Sequence, residues 1–581
     1  MKYFDYKVAI LGCPSNPLIE WNEQNLIKLR DLGFNVMQLN IAWGCRPADE
    51  PLNLEDVVEI PESESDLLRQ SVPLKSDPAP QRCFRRRDAL RQRNILAKKN
   101  GFRTLFHFGA PYNGSFGYDG SPLSNCLLDG KTQDRYISLL KLFHSQFGSI
   151  DDILIYTYDQ DAWLCSEFGG CPRCTGIPLH ERIVPFVNSL AQTWGQINPG
   201  GKLWWEPWEL SAGQVLTCIQ GLDATSVGLM LHSNIAEVMA THPVDRWLKN
   251  AGKLAKDRNI PVIVEAWLGA ASEELEPFIH LAHPLVTLRQ LKSIALVEGV
   301  VGIKEYFGLL PGTEDPNLRM TGLFFNNPAI SEKKALDVLA APYGTAKTEI
   351  INFWKICSDA MELFPWDTSW YIREIGKCNV KHSMTAAFIR GQQCSTPSWD
   401  STRKAIFMKT DDTQPHPWML EDVQLRCSLA AEKMSQSLEI ADSIKNKMPL
   451  EFASVFAEGI KELNEFRRRA ISYVYHIRET NLAAIMRTYI INNNCNVPIY
   501  LIEELLSTLR KDALNQEDNS EIAPAIELLE KDVKKFLDVY FCVVEDEPTL
   551  GGVSLSSADF SVTSRKSRNV SVMGHKNNKK I

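Results

Sequence analysis

The chain has 581 residues, of which 23% are charged and 44% hydrophobic, as is typical of a folded, soluble protein with two or three domains. Its net charge of −8 excludes the overall basic field of a nucleic-acid-binding protein, and no apolar run is long enough to cross a bilayer. The apolar run 8–11 is too short for the core of a signal peptide, so we expect a cytoplasmic protein.

Eight short apolar runs alternate with stretches of helical spacing. The runs are 8–12, 35–43, 103–112, 152–161, 202–210, 226–234, 261–269 and 299–308. The helical stretches are 25–32, 85–99, 134–147, 180–194, 243–257 and 285–298. Buried parallel strands are nearly continuous apolar runs, and alternation with helices is typical of a parallel sheet. The pattern predicts a (β/α)8 TIM barrel over residues 1–340, with a doubly wound open sheet as the alternative.

Three further regions complete the predicted organisation. A long insertion at about 44–80, rich in Pro and acidic residues, follows the second run and is a candidate lid or cleft wall. Residues 341–545 have helical periodicity at 349–363, 421–445, 450–490, 497–514 and 522–540, which predicts an α-helical C-terminal domain. This domain is a candidate surface for homo-oligomer formation. Residues 546–581 are rich in Ser, Asn and Lys, which predicts a disordered tail.

Acidic residues stand at or near the ends of four apolar runs. Asp159 and Asp161 end the fourth run, Glu206 lies in the fifth, Glu265 in the seventh and Glu305 in the eighth. In a (β/α)8 barrel the active site lies at the carboxyl ends of the strands, so we expect these acids to converge, with few cations to neutralise them. Like charges in one cleft push carboxyl pKa values apart, which creates an acid and a base. The predicted catalytic residues are Asp159, Asp161, Glu206 and Glu265.

Aromatic and polar side chains accompany these acids. A sugar ring offers an apolar C–H face for an aromatic ring and hydroxyls for polar groups, so the combination favours a carbohydrate ligand. For any one of these residues, a role in the core is the alternative. The predicted substrate-binding residues are Asn40, Trp43, His107, Tyr112, Trp163, Trp205, Trp208, His232, Asn234, Trp267, Glu305 and Tyr306.

The stretch ILIYTYDQDAWLCSEFGGCPRC, followed by ERIVPFVNSLA, resembles the fourth-strand region of bacterial sugar-cleaving barrels. These are relatives of family 20 β-hexosaminidases, family 163 endo-N-acetylglucosaminidases and, more loosely, family 67 α-glucuronidases with a helical C-terminal domain. The resemblance implies that Asp159 or Asp161 lies near the position of the catalytic acid. The family 20 signature pairs Asp directly with Glu, whereas this chain has Asp159-Gln160-Asp161, so the substrate class does not transfer.

Three cysteines lie close together in CSEFGGCPRC, at positions 165, 171 and 174. Cys165, Cys171 and Cys174 are candidate ligands of a structural zinc ion, with His180 as a possible fourth. A redox-active pair and a tight turn with buried thiols are the alternatives. No other cofactor is expected.

Three functions are compatible with this pattern. The first is a glycoside hydrolase that cleaves an oligosaccharide or glycoside with a pair of carboxylates. The second is a metal-dependent sugar isomerase or aldolase, in which Glu206, His232, Glu265 and Glu305 hold Mg²⁺ or Mn²⁺. The third is a non-catalytic carbohydrate-binding barrel. The sugar, the anomer and the stereochemistry are not specified by the sequence.

Overall fold

Eight parallel strands close into a barrel in chain order, each paired with the next and β8 paired with β1. The strands are β1 (Tyr6–Ile10), β2 (Val36–Gln38), β3 (Arg103–Gly109), β4 (Asp152–Tyr156), β5 (Leu203–Glu206), β6 (Val227–His232), β7 (Val262–Ala266) and β8 (Val300–Glu305). The computed structural model describes residues 3–12, 21–41, 50–64, 68, 80–111, 125–157, 164–165, 167, 171–207, 210, 212–233, 246–271, 278–365, 417–493, 496–516, 520 and 522–540. The predicted TIM barrel is confirmed.

Helices connect the strands. They are α1 (Glu23–Leu32), α2 (Leu54–Val57), α3 (Pro80–Lys99), α4 (Gly130–Phe147), α5 (Leu179–Ile197), α6 (Ala212–Gly221), α7 (Arg246–Asp257), α8 (Pro284–Ala295), α9 (Pro316–Asn326) and α10 (Glu332–Leu339). The spacing predicts no helix between the fifth and sixth strands, yet α6 lies there. This helix carries no charged residue and has a glycine near each end, so its polar face is hard to recognise.

An apolar layer fills the barrel near the middle of the strands. It comprises Val8, Val36, Leu105, Leu154, Trp204, Met230 and Ile263, with Tyr6 and Val301 packed against it. Side chains alternate between the two faces of a strand, so residues two positions further along also point inward. This apolar layer therefore forms a floor beneath the next inward-facing residues of the strands.

Gly228 leaves room for the largest side chain of the floor. A Cβ added at Gly228 would overlap the six-membered ring of Trp204, which is buried and packs edge-on against Tyr6 at a ring separation of 5.1 Å. We expect Gly228→Ala to lower the free energy of unfolding by about 1–3 kcal/mol because the indole must move within a closely packed barrel. Gly213→Ala in α6 is the matched control, since nothing lies within 4 Å of the added Cβ. Denaturant unfolding of both variants checks this, and equal stability would contradict it.

The insertion after β2 is anchored where the structure describes it. Both carboxylate oxygens of Glu50 accept from Arg93 in α3, at 2.7 and 3.0 Å. Asp56 in α2 pairs with Arg86 at 3.3 Å, and the neighbouring Glu55 pairs with Arg135 in α4 at 2.9 Å. These buried or partly buried pairs fix residues 50–57 against the helices that flank β3. Contact between the insertion and a substrate stays a prediction.

The second region is helical. Its helices are α11 (Lys347–Leu363), α12 (Pro417–Ile444), α13 (Leu450–Asn493), α14 (Ile499–Asn515), α15 (Ile522–Lys531) and α16 (Val533–Tyr540). The periodicity predicts one helix over 522–540, but the structure has two. They separate at Asp532, whose carboxylate accepts from the backbone N–H of Lys535 and caps α16.

The described residues divide into two compact units. One unit contains those up to 271 and those from 282 to 341, and the other contains 278–281 and those from 342 onward. Within the helical unit, residues 278–281 pack on α13, where Glu462 accepts from the backbone N–H groups of Ile279 and His280 at 3.0 and 2.6 Å. In the part of the chain that the structure describes, no helix is both long and apolar enough to span a membrane.

Candidate functional site

A belt of polar and aromatic residues lies directly above the apolar floor. Six consecutive strands each contribute one residue, in the order His107, Tyr156, Glu206, His232, Glu265 and Lys304. The first five lie two positions beyond a floor residue, and Lys304 lies opposite Glu265 in the register of β7 with β8. All six are buried. The belt is at the carboxyl end of the barrel, where (β/α)8 enzymes have their active sites.

Glu265 is held by two partners on the neighbouring strands. Its Oε1 accepts a short hydrogen bond from Lys304 Nζ on β8, and its Oε2 lies 2.9 Å from His232 Nε2 on β6. The register places His232 opposite Glu265, and Glu265 opposite Lys304. Glu265 and Lys304 are both fully buried, so their charges compensate each other inside the barrel.

Glu206 faces two histidines, one on β3 and one on β6. Its Oε2 lies 3.5 Å from His107 Nε2, and its Oε1 lies 3.5 Å from His232 Nε2. Glu206, His232 and Glu265 each offer one polar atom within 4.8 Å of the others. His232 therefore bridges the two carboxyl groups.

The two carboxyl groups have opposite pKa shifts. Burial, followed by the negative charge of Glu265, raises the pKa of Glu206. Burial also opposes ionisation of Glu265, but the charge of Lys304 and the hydrogen bond from His232 outweigh it and lower the pKa to about 2. For His232, burial disfavours the charged form, yet hydrogen bonds to Glu206 and Glu265 outweigh it and raise the pKa. The cluster therefore favours ionisation of Glu265 and opposes ionisation of Glu206.

Two predicted aromatic residues form the next layer above the belt. Trp267 and Tyr306 lie two positions beyond Glu265 and Lys304, and their rings meet edge-on at 6.2 Å. The Tyr306 ring also packs edge-on against His232 at 5.6 Å. The indole Nε1 of Trp267 is buried and has no hydrogen-bond partner among the described residues. The layer thus offers aromatic surface and one donor close to the acids.

Two predicted substrate-binding residues make other contacts. Asn40 donates to the carbonyls of Pro51 and His107, and it accepts from the N–H of His107. Trp205 lies on the opposite face of β5 from Glu206 and donates to Thr157 Oγ1 at 2.8 Å. These contacts join strands and loops to one another.

Glu305 is turned away from the belt because it follows Lys304 on the same strand. Its carboxylate accepts from the backbone N–H groups of Leu268, Phe307 and Gly308 at 2.8 to 3.0 Å. Burial raises its pKa to about 7 against these three donors. The expectation that the acid of the eighth strand converges with those of the fifth and seventh is therefore wrong, and Glu305 instead fixes the loops after β7 and β8.

The sequence pattern did not predict the role of Lys304, which pairs with Glu265 in the middle of the cluster. One feature of the sequence could have identified Lys304: it is the only lysine in the apolar run GVVGIKEYFG. In that run it shares a strand face with Tyr306 and precedes an acid. Seven predicted site residues lie outside the described residues, and their roles stay predictions. They are Trp43, Tyr112, Asp159, Asp161, Trp163, Trp208 and Asn234.

The comparison with solved structures found the following three enzymes, among others. A GH138 enzyme targeting pectin rhamnogalacturonan II is 11% identical with a TM-score of 0.55, over 95% of this chain and 64% of that chain. CpGH84B is 11% identical with a TM-score of 0.39, over 90% and 77%. A mutant of the Thermobaculum terrenum O-GlcNAc hydrolase is 12% identical with a TM-score of 0.39, over 95% and 100%.

The likeness to the GH138 enzyme shows a shared fold, and this chain spans less than two thirds of that enzyme's length. No protein-family model matches the chain, and no curated protein matches it.

Proposed function

We propose that this chain is a glycoside hydrolase in which Glu206 donates a proton to the leaving oxygen and Glu265 is the ionised partner. The proposal is carried by two buried carboxyl groups that both lie against His232, with Glu265 paired to Lys304, and their pKa values shift in opposite directions. Pairs of titratable groups with divergent pKa values mark the acid and the base of many enzymes.

Glycosidic cleavage requires one carboxyl group that donates a proton and a second that is ionised. The leaving oxygen must be protonated as its bond to the anomeric carbon breaks, which a carboxylic acid that stays neutral near pH 7 achieves. The positive charge that develops on the sugar ring is stabilised by a carboxylate, and Lys304 keeps Glu265 ionised and fixed in orientation. The polar atoms of Glu206 and Glu265 lie within 4.8 Å of each other, which favours a retaining over an inverting reaction.

The aromatic layer supports a sugar as the ligand. Trp267 and Tyr306 offer ring surface for a pyranose face, and the indole N–H of Trp267 is available to a hydroxyl. Asp159 and Asp161 stay predicted members of the site. The resemblance to families 20, 163 and 67 also stays a prediction. Because the GH138 enzyme targets pectin rhamnogalacturonan II, pectic oligosaccharides are among the first substrates to test.

A metal-dependent sugar isomerase or aldolase is the second candidate, because Glu206, His232 and Glu265 are spaced closely enough to hold a cation. One contact disfavours it. Lys304 pairs with Glu265 and neutralises one of the two carboxylates that would bind the cation.

A panel of aryl glycosides and pectic oligosaccharides tests the proposal. We expect release of the aglycone or of a free sugar without added Mg²⁺ or Mn²⁺, and no stimulation when either is added. Activity that depends on either cation supports the isomerase or aldolase instead. Binding of a sugar by calorimetry without turnover of any substrate indicates a non-catalytic barrel and contradicts the proposal.

A further inference from the structure

Four cysteine thiols meet in the loops at the carboxyl end of the barrel. Cys126 lies in the loop between β3 and α4, and Cys165, Cys171 and Cys174 lie in the loop between β4 and α5. The four sulfur atoms are all within 4.8 Å of one another. His180, the possible fourth ligand suggested by the sequence, is not part of this group, and Cys126 completes it.

The sulfur spacing is that of metal ligands. The Sγ atoms of Cys126 and Cys174 are 3.2 Å apart, whereas a disulfide requires about 2.05 Å. All four cysteines are free thiols. In a tetrahedral zinc site with Zn–S bonds of about 2.3 Å, the sulfur atoms lie roughly 3.8 Å apart, close to the spacing seen here.

Backbone contacts hold the second loop in a tight turn. The carbonyl of Cys171 accepts from the N–H groups of Cys174 and Thr175 and from the Thr175 hydroxyl, at 3.2, 3.0 and 2.7 Å. Gly176 then has a φ of 77°, which favours glycine. The turn in CPRCTG therefore brings Cys171 and Cys174 together without help from a ligand.

A buried arginine beside the thiols indicates a negative charge there. Arg182 is 3% exposed, and no carboxylate of the described residues pairs with it. Its Nη1 and Nε donate to the carbonyls of Cys165 and Ile177, but its Nη2 is buried with no hydrogen-bond partner among the described residues. A buried guanidinium without a counter-charge is costly, and four neutral thiols supply none. A zinc ion with four thiolates carries a net charge of −2 and supplies it.

We propose that Cys126, Cys165, Cys171 and Cys174 bind a structural Zn²⁺ ion. Binding converts four thiols to thiolates and releases four protons, and no electron is transferred. The ion joins the loop after β3 to the loop after β4. β4 is the strand next to β5, which carries Glu206. This site is independent of the proposed hydrolase activity, because no open position is left for a substrate.

Metal analysis of the full-length chain, purified from cells grown with added zinc, tests the proposal. We expect about one zinc per chain in the wild type and less than about a tenth of that in Cys126→Ser, because three thiolates hold zinc much more weakly than four. Cys83→Ser in α3 is the matched control, since this half-buried cysteine lies outside the cluster, and it should keep the zinc.

Cobalt substitution and thiol counting on the wild type keep the test decisive if Cys126→Ser does not fold. We expect the strong visible absorption of tetrahedral cobalt thiolate, and four additional reactive thiols when a mercurial displaces the zinc. A zinc-free wild type, iron in place of zinc, or a disulfide among these four cysteines in the folded protein overturns the proposal.

Discussion

Glu206→Gln is expected to slow the hydrolysis of glycosides with poor leaving groups by about 10²–10⁴-fold, the usual contribution of a general acid. Gln cannot donate the proton, but it preserves the shape of a side chain that is 3% exposed. Substrates with acidic phenol leaving groups need little protonation, so their hydrolysis should slow much less. Steady-state rates over a series of phenol leaving groups measure this difference.

Glu298→Gln is the control for this series, because Glu298 is an exposed carboxylate paired with Lys256 on the surface of the same unit. It should leave every rate unchanged. An equal loss for good and poor leaving groups in Glu206→Gln would contradict the role of proton donor. Retention of full activity on all substrates would remove Glu206 from the catalytic site altogether.

Lys304→Met is expected to lower the free energy of unfolding by about 3–5 kcal/mol, because it removes the lysine that compensates the buried charge of Glu265. The double variant Lys304→Met/Glu265→Gln removes both charges and should recover much of that loss. Denaturant unfolding of the wild type, both single variants and the double variant gives the coupling energy. A cost below about 1 kcal/mol for Lys304→Met, with no recovery in the double variant, would show that the pair is not a buried ion pair.

The ion pair of Lys304 and Glu265 also makes the stability of the folded chain depend on pH. The pKa of Glu265 is lowered to about 2 in the folded chain, so its ionisation contributes stability above the ordinary glutamate value of about 4.3. That stability is lost as the pH falls from about 4.5 towards 2. In Lys304→Met the pKa of Glu265 rises, and this acid-labile contribution should shrink relative to the wild type.

The strands and their order could be predicted because a parallel barrel buries both faces of every strand and leaves long apolar runs in the sequence. The residues at which the strands end could not be predicted from the sequence. The eighth run continues to Gly308 in the sequence, but β8 ends at Glu305. Apolar composition continues into the loops at the barrel mouth, so it does not mark where hydrogen bonding to the next strand stops.

Glu206 and Glu265 could be predicted as a pair because both follow an inward-facing floor residue by two positions. Glu305 was harder to place, since one residue of offset turns a side chain to the opposite face of a strand. The partner of Glu265 was missed for a related reason: Lys304 is a typical surface residue whose burial depends on the pairing of β7 with β8.

Cys126 could not be predicted as a ligand from the spacing of cysteines along the sequence. The three cysteines of CSEFGGCPRC stand together in the sequence, but the fourth thiol comes from the preceding loop of the barrel. The parallel pairing of β3 with β4 places the loops after these two strands side by side. Neighbouring loops should therefore be searched for ligands once a barrel has been recognised.

Isotope-edited infrared difference spectra of the carboxyl groups, recorded near pH 6, test most directly whether Glu206 and Glu265 hold opposite protonation states. Subtracting the spectrum of Glu206→Gln from that of the wild type should leave one protonated carboxylic acid, because burial and Glu265 raise the pKa of Glu206. The same subtraction with Glu265→Gln should leave one carboxylate. Two carboxylates, or the reverse assignment, would contradict the roles given to these residues.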